Sequence, residues 1–426
     1  MTSVEVTRRL QRAQRYTIAA RVEWFTPTQW TVDRVAGAIS GVVPADEASA
    51  VAAALIAAHP RAPLDPQDDG PPVLANPAAL VAALDGYRTV ELLEPDGPLD
   101  VPGLALPDLS AVARMLDLTA PELEWCADPG GWLRHSSKPL RHYRVRRIPK
   151  PAGGVRVIEA PKPRLAEAQH RVLRRVLDPA GAHPAARGFR PGGSVLAYAS
   201  PHVGASSVVR LDLRDCFSTV TVSRVRDVFR RMGYPAPVAR VLADLCTVAT
   251  PGDELRGLDP WQAAVLRSRH LPQGAPSSPA LVNLVLRRLD SRLTGLAQSQ
   301  GARYTRYGDD LAFSKPRDPS LIAGVVPKIV AAEGFSVNST KTRVMRAGSR
   351  QELAGVVVNA RAQVPRAEYD ALRALLHNAA RFGAESQNRD GHSDFRAHVY
   401  GRIAWVGQGN ESRRERLLTM AARVRW

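Results

Sequence analysis

An α+β fold is predicted for this chain, with helices towards both ends and short strands between them. Three stretches have the apolar pattern of strands: residues 142–158, which are expected to form a hairpin, residues 207–213 and residues 304–314. Apolar residues at helical spacing occupy much of the first hundred residues and return in Glu368–Phe382 and Asp394–Val406. Strands grouped between helical regions are typical of an α+β arrangement.

The chain is long enough for two or three domains, and its composition suggests three regions. We expect a helical N-terminal extension at residues 1–100, a central region at 101–350 and a helical C-terminal region at 351–426. In the extension, helices are predicted at Arg8–Trp24, Ala48–Ala58 and Pro77–Leu84, the last with Asn76 as its N-cap. No chemically active motif occurs there, so a structural or partner-docking role is expected.

Charge is distributed unevenly along the 426 residues. The first hundred contain 8 arginines, no lysine and 13 acidic residues, a net charge of −5, so the other 326 carry +22 within a total of +17. A basic body of this size predicts a polyanionic partner, most simply nucleic acid. A solvated, arginine-rich surface is the structural alternative.

Composition also excludes several classes of protein. The sequence has no run of eighteen apolar residues and no recognisable signal peptide, so neither a membrane partner nor export is expected. Cys126, Cys216 and Cys246 are an odd number at unrelated spacings, which indicates neither a disulfide framework nor a zinc site. We therefore expect a cytoplasmic location.

The stretch Tyr304–Ser314 carries the strongest chemical signal. Gly308 permits a tight turn between two strands, which places Asp309 and Asp310 at the tip of a hairpin. Two carboxylates about 4 Å apart repel each other by roughly 4 kcal/mol at an effective dielectric constant near 20. Water or a divalent cation relieves that repulsion, so the pair fits either a solvated turn or a metal site.

A third aspartate ends another apolar strand. Asp212 follows Val208–Leu211, and burial of an ionised carboxylate without a partner is unfavourable. Asp212 is therefore expected either to end the strand in a turn or to bind a metal. Phe217, five residues later, is expected to project near the same place after a tight turn.

Two further segments are candidates for phosphate or nucleotide binding. The basic hairpin presents Lys150 and Arg156. The loop His270–Pro279 is rich in glycine and proline and leads into a predicted helix at Ala280–Leu293, with Ser278 as its N-cap. A helix N-terminus suits a phosphate because its free N–H groups and positive dipole end point at the ligand. Either segment by itself is commonly structural.

Short motifs at characteristic spacing connect these segments. They are His142-Tyr143, Ile148-Pro149-Lys150, Gly188-Phe189, Leu271-Pro272-Gln273-Gly274-Ala275-Pro276, Tyr304-Thr305-Arg306-Tyr307, Gly334-Phe335, Lys341-Thr342 and Gly401-Arg402-Ile403. In this order they resemble the motif series of reverse transcriptases, and most closely the retron-type bacterial reverse transcriptases. The resemblance covers about residues 105–426.

The resemblance implies a right-hand polymerase fold. Fingers and a ferredoxin-like palm would lie within 101–350, and a helical thumb within 351–426. It also implies that Asp212, Asp309 and Asp310 are catalytic and bind two Mg²⁺ ions. Asp212 and Asp309 are then the direct ligands, and Asp310 is more peripheral.

Roles for the nucleotide-binding candidates follow from the same resemblance. Lys150 and Arg156 are expected to neutralise the triphosphate of an incoming dNTP. Phe217 is expected to exclude a ribose 2′-OH, while Gln273 and Gly274 shape the pocket around nucleotide and template. The implied partners are an RNA template and the nascent DNA.

Lys341 is a candidate for assisting pyrophosphate departure, and Tyr198 and His202 are candidate RNA-binding residues. The chain departs from the family at three places. Gly308 stands where alanine is usual, a difference expected to be sterically minor. Tyr198 replaces the asparagine of an Asn-Ala-x-x-His motif, and Leu353-Ala354-Gly355 replaces Val-Thr-Gly. An aromatic ring at position 198 is expected to stack on an RNA base.

Retron resemblance further implies a cognate non-coding RNA, a separate effector protein and a role in antiviral defence. Three alternatives remain open. A group II intron-like or other defence-associated bacterial reverse transcriptase would share the same palm. An RNA-dependent RNA polymerase would carry a similar Tyr-Gly-Asp-Asp hairpin, but with a second acidic residue near position 217. A non-catalytic RNA-binding protein would not need three carboxylates.

Overall fold

The computed structural model describes residues 25–40, 45–62, 105–150, 153–315 and 318–426, together with Ile18, Val22, Val42 and Leu99. The chain divides into two compact units, Met1–Gly97 and Pro98–Trp426. No helix among the described residues has the length and apolar character needed to cross a membrane.

The described residues of the first unit include two helices, α1 (Val32–Ile39) and α2 (Ala45–Ala58). They pack through a small apolar core that includes Ile39 and Leu55. The indole N–H of Trp30 donates to the carbonyl of His59 over 2.7 Å. The helix predicted at Ala48–Ala58 is confirmed within α2. The one predicted at Pro77–Leu84 and most of that at Arg8–Trp24 lie outside the described residues.

The second unit is mixed in structure. Its strands are β1 (Tyr143–Pro149), β2 (Val155–Pro161), β3 (Ser207–Asp212), β4 (Arg303–Tyr307), β5 (Asp310–Ser314), β6 (Arg343–Arg346), β7 (Glu352–Leu353) and β8 (Val356–Val357). Its helices up to β6 are α3 (Leu109–Leu116), α4 (Ala120–Ala127), α5 (Pro163–Val172), α6 (Val195–Ala199), α7 (Cys216–Thr219), α8 (Val222–Arg231), α9 (Ala236–Leu245), α10 (Gly252–Leu255), α11 (Pro260–Arg267), α12 (Ser278–Val285), α13 (Arg287–Ser299) and α14 (Pro319–Ala332).

The central sheet has the strand order β4-β5-β3-β6, and every neighbouring pair is antiparallel. With helices between β3 and β4 and α14 between β5 and β6, the connectivity is βαββαβ, the ferredoxin-like arrangement. Alternate residues of β3 enter different cores. Val209 and Leu211 join the large core beneath α13 and α14, whereas Val208 joins a second core with Tyr198 and Val356. Both faces of β3 are therefore covered by apolar cores, which explains the alternation-free run Val208-Val209 and the buried Leu211.

The β1–β2 hairpin forms as predicted, with Ile148 opposite Arg156, and β2 continues three residues past the predicted end at Ile158. The helix predicted at Ala280–Leu293 is instead two helices, α12 and α13, separated at Leu286. Ser278 is not its N-cap. Ser277 occupies that position, and both hydroxyls are buried without a hydrogen-bond partner among the described residues.

Three helices follow the sheets: α15 (Arg366–Phe382), α16 (Phe395–Gly407) and α17 (Glu411–Ala421). They enclose their own apolar core, which includes Leu372, Val399 and Leu417. The carboxylate of Asp394 starts α16 by accepting from the Ala397 N–H at 2.9 Å. Both predicted C-terminal helices are confirmed to within two residues of their predicted ends.

Candidate active site

Three aspartates meet where β3 ends beside the β4–β5 hairpin. Asp212 and Asp310 are directly opposite each other in the antiparallel register. Asp309 lies in the turn, and its carbonyl accepts from the Leu213 N–H at 2.9 Å. The predicted convergence of Asp212 with the Asp309–Asp310 turn is therefore present in the fold.

The turn is built around Gly308, which has φ of +62°. A Cβ at this position would lie 2.8 Å from Cε2 of Phe189. A side chain here would therefore be strained and would displace the Phe189 ring. The substitution of the family's alanine by Gly308 is not sterically minor, contrary to the expectation from sequence.

A buried ion pair next to the same turn helps to fix its backbone. Arg306 and Asp290 are both fully buried, and Arg306 Nη2 lies 2.6 Å from Asp290 Oδ2. Arg306 Nη1 also donates to the Gly308 carbonyl and to Asn283 Oδ1, each at 2.9 Å. The Asn283 amide donates in turn to the Gly188 carbonyl at 2.9 Å. One guanidinium thus ties the aspartate turn to α12, α13 and the Gly188 loop.

Electrostatics at the site favour a bound cation. Burial, together with the charges of Asp212 and Asp310, raises the pKa of Asp309 to about 6. Burial also raises the pKa of Asp310, although Arg210 opposes that shift. The ionised form of such clustered, buried carboxylates is stabilised by a nearby positive charge.

Two basic side chains supply part of this positive charge. Lys341 Nζ lies 2.9 Å from Asp212 Oδ1. Arg210 forms a bidentate ion pair with Asp310, in which Nε donates to Oδ1 and Nη2 donates to Oδ2, each at 3.0 Å. Within the described part of the chain, no three acidic, histidine or cysteine side chains are already arranged around a metal position. The oxygen donors nevertheless suit a hard cation such as Mg²⁺. Lys341, which already supplies a positive charge to Asp212, is half-exposed.

The basic hairpin reaches towards this site. Lys150 Nζ lies 3.5 Å from Asp215 Oδ1, in the turn three residues after Asp212. Arg156 is exposed on β2. Phe217 lies on the short helix α7 directly after this turn and is partly buried against the large core.

The loop containing Gln273 and Gly274 packs on the same hairpin. The Gln273 carbonyl accepts from the Glu159 N–H at 2.8 Å. Gly274 has φ of +125°, and a Cβ there would lie 3.1 Å from Cγ2 of Ile158. The loop can approach β2 this closely only because residue 274 is glycine.

Tyr198 and His202 do not face RNA. Both are fully buried, and His202 bonds through its two ring nitrogens to the hydroxyls of Ser314 and Thr305, each at 2.7 Å. Burial lowers the pKa of His202 to about 4. Tyr198 packs beside Tyr307 with ring centroids 5.8 Å apart. The expected base stacking at position 198 is therefore wrong, since neither ring has an open face.

Sequence reasoning missed Arg210, Asp290 and Asn283. Arg210 had a detectable signal, because a basic residue two positions before Asp212 points to the same face of the strand. Asp290 and Asn283 had none, because their partner Arg306 is reached only through the fold.

A ferredoxin-like sheet that brings carboxylates from two adjacent strands to one edge, beside a basic hairpin and a glycine loop, defines the palm of a nucleotide polymerase. Residues 148–372 match the family described as "Reverse transcriptase (RNA-dependent DNA polymerase)". The chain belongs to this reverse transcriptase family and is an RNA-directed DNA polymerase of the retron type.

Several curated relatives support this assignment. The chain is 42% identical to the retron Mx65 reverse transcriptase of Myxococcus xanthus, over 73% of this chain and 74% of that protein. Identity to the retron Mx162 reverse transcriptase of the same organism is 38%, over 64% of this chain and 59% of that protein. The retron Ec86 reverse transcriptase of Escherichia coli is 30% identical over 66% of this chain and 81% of its own length.

Proposed function

We propose that the chain synthesises DNA on a structured RNA template by two-metal nucleotidyl transfer. The observation that carries this proposal is the pairing of Asp212 with Asp310 across β3 and β5, with Asp309 in the adjoining turn. Asp212 and Asp309 would hold two Mg²⁺ ions, and Asp310, held by Arg210, would remain peripheral. Such ions lower the pKa of an attacking hydroxyl and stabilise the charge that develops on the phosphates.

The other residues act on the nucleotide. Lys341, which pairs with Asp212 at 2.9 Å, would supply a positive charge to the departing pyrophosphate. Lys150 and Arg156 neutralise the triphosphate, and Lys150 already lies beside the Asp215 turn. Phe217 occupies the space of a 2′-OH and so selects deoxynucleotides. The Gln273–Gly274 loop forms the wall behind the nucleotide, and helices α15 to α17 serve as the thumb that holds the duplex.

Primer extension on an RNA template with Mg²⁺ tests the metal assignment. Asp309→Asn and Asp212→Asn each remove a ligand charge but little volume, so synthesis should be lost while the thermal melting temperature is retained. Asp390→Asn is the matched control, because Asp390 is 87% exposed. Full synthesis by either active-site variant would contradict the proposal.

We further propose that the template is a non-coding RNA encoded beside the gene, primed from one of its own 2′-hydroxyl groups, and that a separate effector acts with the enzyme in antiviral defence. Similarity to three retron reverse transcriptases supports this proposal. Expression with the native flanking DNA should give a co-purifying single-stranded DNA that changes size after ribonuclease treatment. Co-purification of mixed cellular RNA without DNA would instead favour another branch of bacterial reverse transcriptases.

A further inference from the structure

A cavity of 440 Å³ lies in the fingers, away from the three aspartates. It is bounded by the turn after α4, the first residues of β1 and the segment that follows α11, and this volume is in the range of small-ligand sites. Glu159 contributes to its wall, and the same residue holds the Gln273 carbonyl through its backbone N–H. The cavity therefore backs onto the loop proposed to contact nucleotide and template.

The charged residues of the lining are mostly basic. Four arginines line the cavity against two acidic residues; the arginines are Arg134, Arg141, Arg267 and Arg269. The Arg269 guanidinium donates to the carbonyls of Asp128 and Ala127 at 2.9 and 2.7 Å, which fixes the turn after α4 in the cavity wall. Arg141 is paired with Asp253 at 2.9 Å. Arg267 is exposed and forms no hydrogen bond or ion pair with any residue that the structure describes. Arg267 thus remains available to an anionic ligand.

Exposed apolar side chains border the same cavity. Trp132, between the lining residues Gly131 and Leu133, is 76% exposed, and Trp125 and Leu140 are about half exposed. Trp132 is nevertheless held in place. Asp128 Oδ1 accepts from the Trp132 N–H at 2.9 Å, and the indole lies over Gly130, where a Cβ would collide with it. An exposed tryptophan whose indole lies against the chain at Gly130 offers a stacking surface.

Aromatic stacking surfaces beside arginines that can reach a phosphate are the chemistry that binds single-stranded nucleic acid. Here, among the described residues, Arg267 has no partner and Arg134 is bound only to the neighbouring His135. Stacking needs an unpaired base, and a paired base inside a duplex could not reach Trp132 or enter the cavity. From this combination we infer that the cavity and its border, residues 125–141 with Arg267, bind an unpaired stretch of RNA. A base stacks on Trp132 while phosphates contact Arg134 and Arg267. The choice of RNA over DNA rests on the proposed function.

Fluorescence anisotropy with an unstructured RNA of about 12 nucleotides tests this inference, since sites of this kind cover about 4–16 nucleotides. Trp132→Ala should weaken binding about tenfold through lost stacking. Arg267→Glu should weaken binding and lower the salt dependence by about one ion. Lys328→Glu makes the same charge change at an exposed position of α14 and should have little effect.

Photo-cross-linking separates this site from RNA held by the palm. A 4-thiouridine RNA should give adducts in the peptide that contains Trp132, and these should disappear in the Trp132→Ala/Arg267→Glu double variant. Adducts restricted to the palm, or a double variant that binds RNA within twofold of the wild type, would overturn the inference. A loss of binding seen for single-stranded DNA but not for RNA would overturn the choice of RNA.

The proposed function is judged separately. If the wild type extends primers but the double variant binds RNA normally, only this inference fails. If the wild type neither extends primers nor binds RNA, the proposed function fails as well.

Discussion

Lys341 and Asp212 form an ion pair, with Nζ 2.9 Å from Oδ1, although 129 residues separate them in sequence. The lysine side chain is 55% exposed, whereas that of Asp212 is 8% exposed. Under the proposed two-metal mechanism, this exposed ammonium group would compete with a metal ion for the buried Asp212 carboxylate.

Removal of this competitor should alter the metal requirement. We expect Lys341→Ala to reach half-maximal activity at a lower Mg²⁺ concentration, by up to about fivefold, the value of a solvent-screened ion pair. Its maximal rate should fall because the leaving pyrophosphate loses a cation. Titration of primer extension with Mg²⁺ checks both effects, with Lys328→Ala as the control. An unchanged Mg²⁺ requirement would show that Lys341 does not compete with metal.

Arg210 should be required to position Asp310. Arg210→Gln leaves a largely buried carboxylate without its partner, and we expect unfolding to become easier by about 2 kcal/mol, between the values for exposed and buried pairs. DNA synthesis should fall as well. Urea denaturation measures the first effect. The double variant Arg210→Gln/Asp310→Asn should recover stability but not full activity, whereas equal losses in both variants would contradict the pairing argument.

Disruption of the Arg306–Asp290 pair should affect the whole palm. Both partners are fully buried, so Asp290→Asn leaves an uncompensated guanidinium and should cost about 3–5 kcal/mol of unfolding free energy. Asp227→Asn, at a largely exposed aspartate in an ion pair on α8, is the control and should cost under about 1 kcal/mol. Similar denaturation midpoints for the two variants would show that the buried pair does not stabilise the palm.

The His270–Glu159 pair predicts a pH dependence of stability. Burial opposes protonation of His270, but the Glu159 carboxylate 2.8 Å away outweighs it, and the net effect raises the His270 pKa. The stabilisation is complete below the unfolded-state pKa of about 6.5 and is lost as pH rises through the folded-state value.

Wild-type unfolding free energy should therefore fall on the alkaline side of pH 6.5, and this fall should be smaller in His270→Gln. Urea denaturation across this pH range measures the difference. His377→Gln, at an exposed position of α15, should keep the wild-type pH profile. If wild type and His270→Gln showed the same pH dependence of unfolding free energy, the His270–Glu159 pair would not be its cause.

Phe217 should control the choice of sugar. Phe217→Ala should raise kcat/KM for ribonucleotides relative to deoxyribonucleotides, because the ring is proposed to fill the space of a 2′-OH. Steady-state kinetics with matched dNTP and NTP substrates give the ratio. An unchanged ratio would mean that the partly buried ring serves only to pack the core.

Elements that depend on a local residue pattern could be predicted from the sequence. Alternation predicted the β1–β2 and β4–β5 hairpins, whereas the convergence of Asp212 with the Asp309 turn followed from the resemblance to reverse transcriptases. Contacts between distant segments were not predictable, such as Arg306 with Asp290 or Lys341 with Asp212. Tyr198 was misinterpreted because the sequence alone does not distinguish an aromatic ring that packs in a core from one that stacks on a base.

The register of β3 has a consequence for synthesis on the ribosome. Its partner β5 emerges about 100 residues later and β6 more than 130 residues later, and Arg210 and Asp310 are 100 residues apart in sequence. Contacts of such long range form slowly and late. A nascent chain that stops before Arg346 therefore presents β3 without its full set of neighbours, with Val208, Val209 and Leu211 incompletely covered. Premature termination should yield aggregation-prone fragments rather than a partly active enzyme.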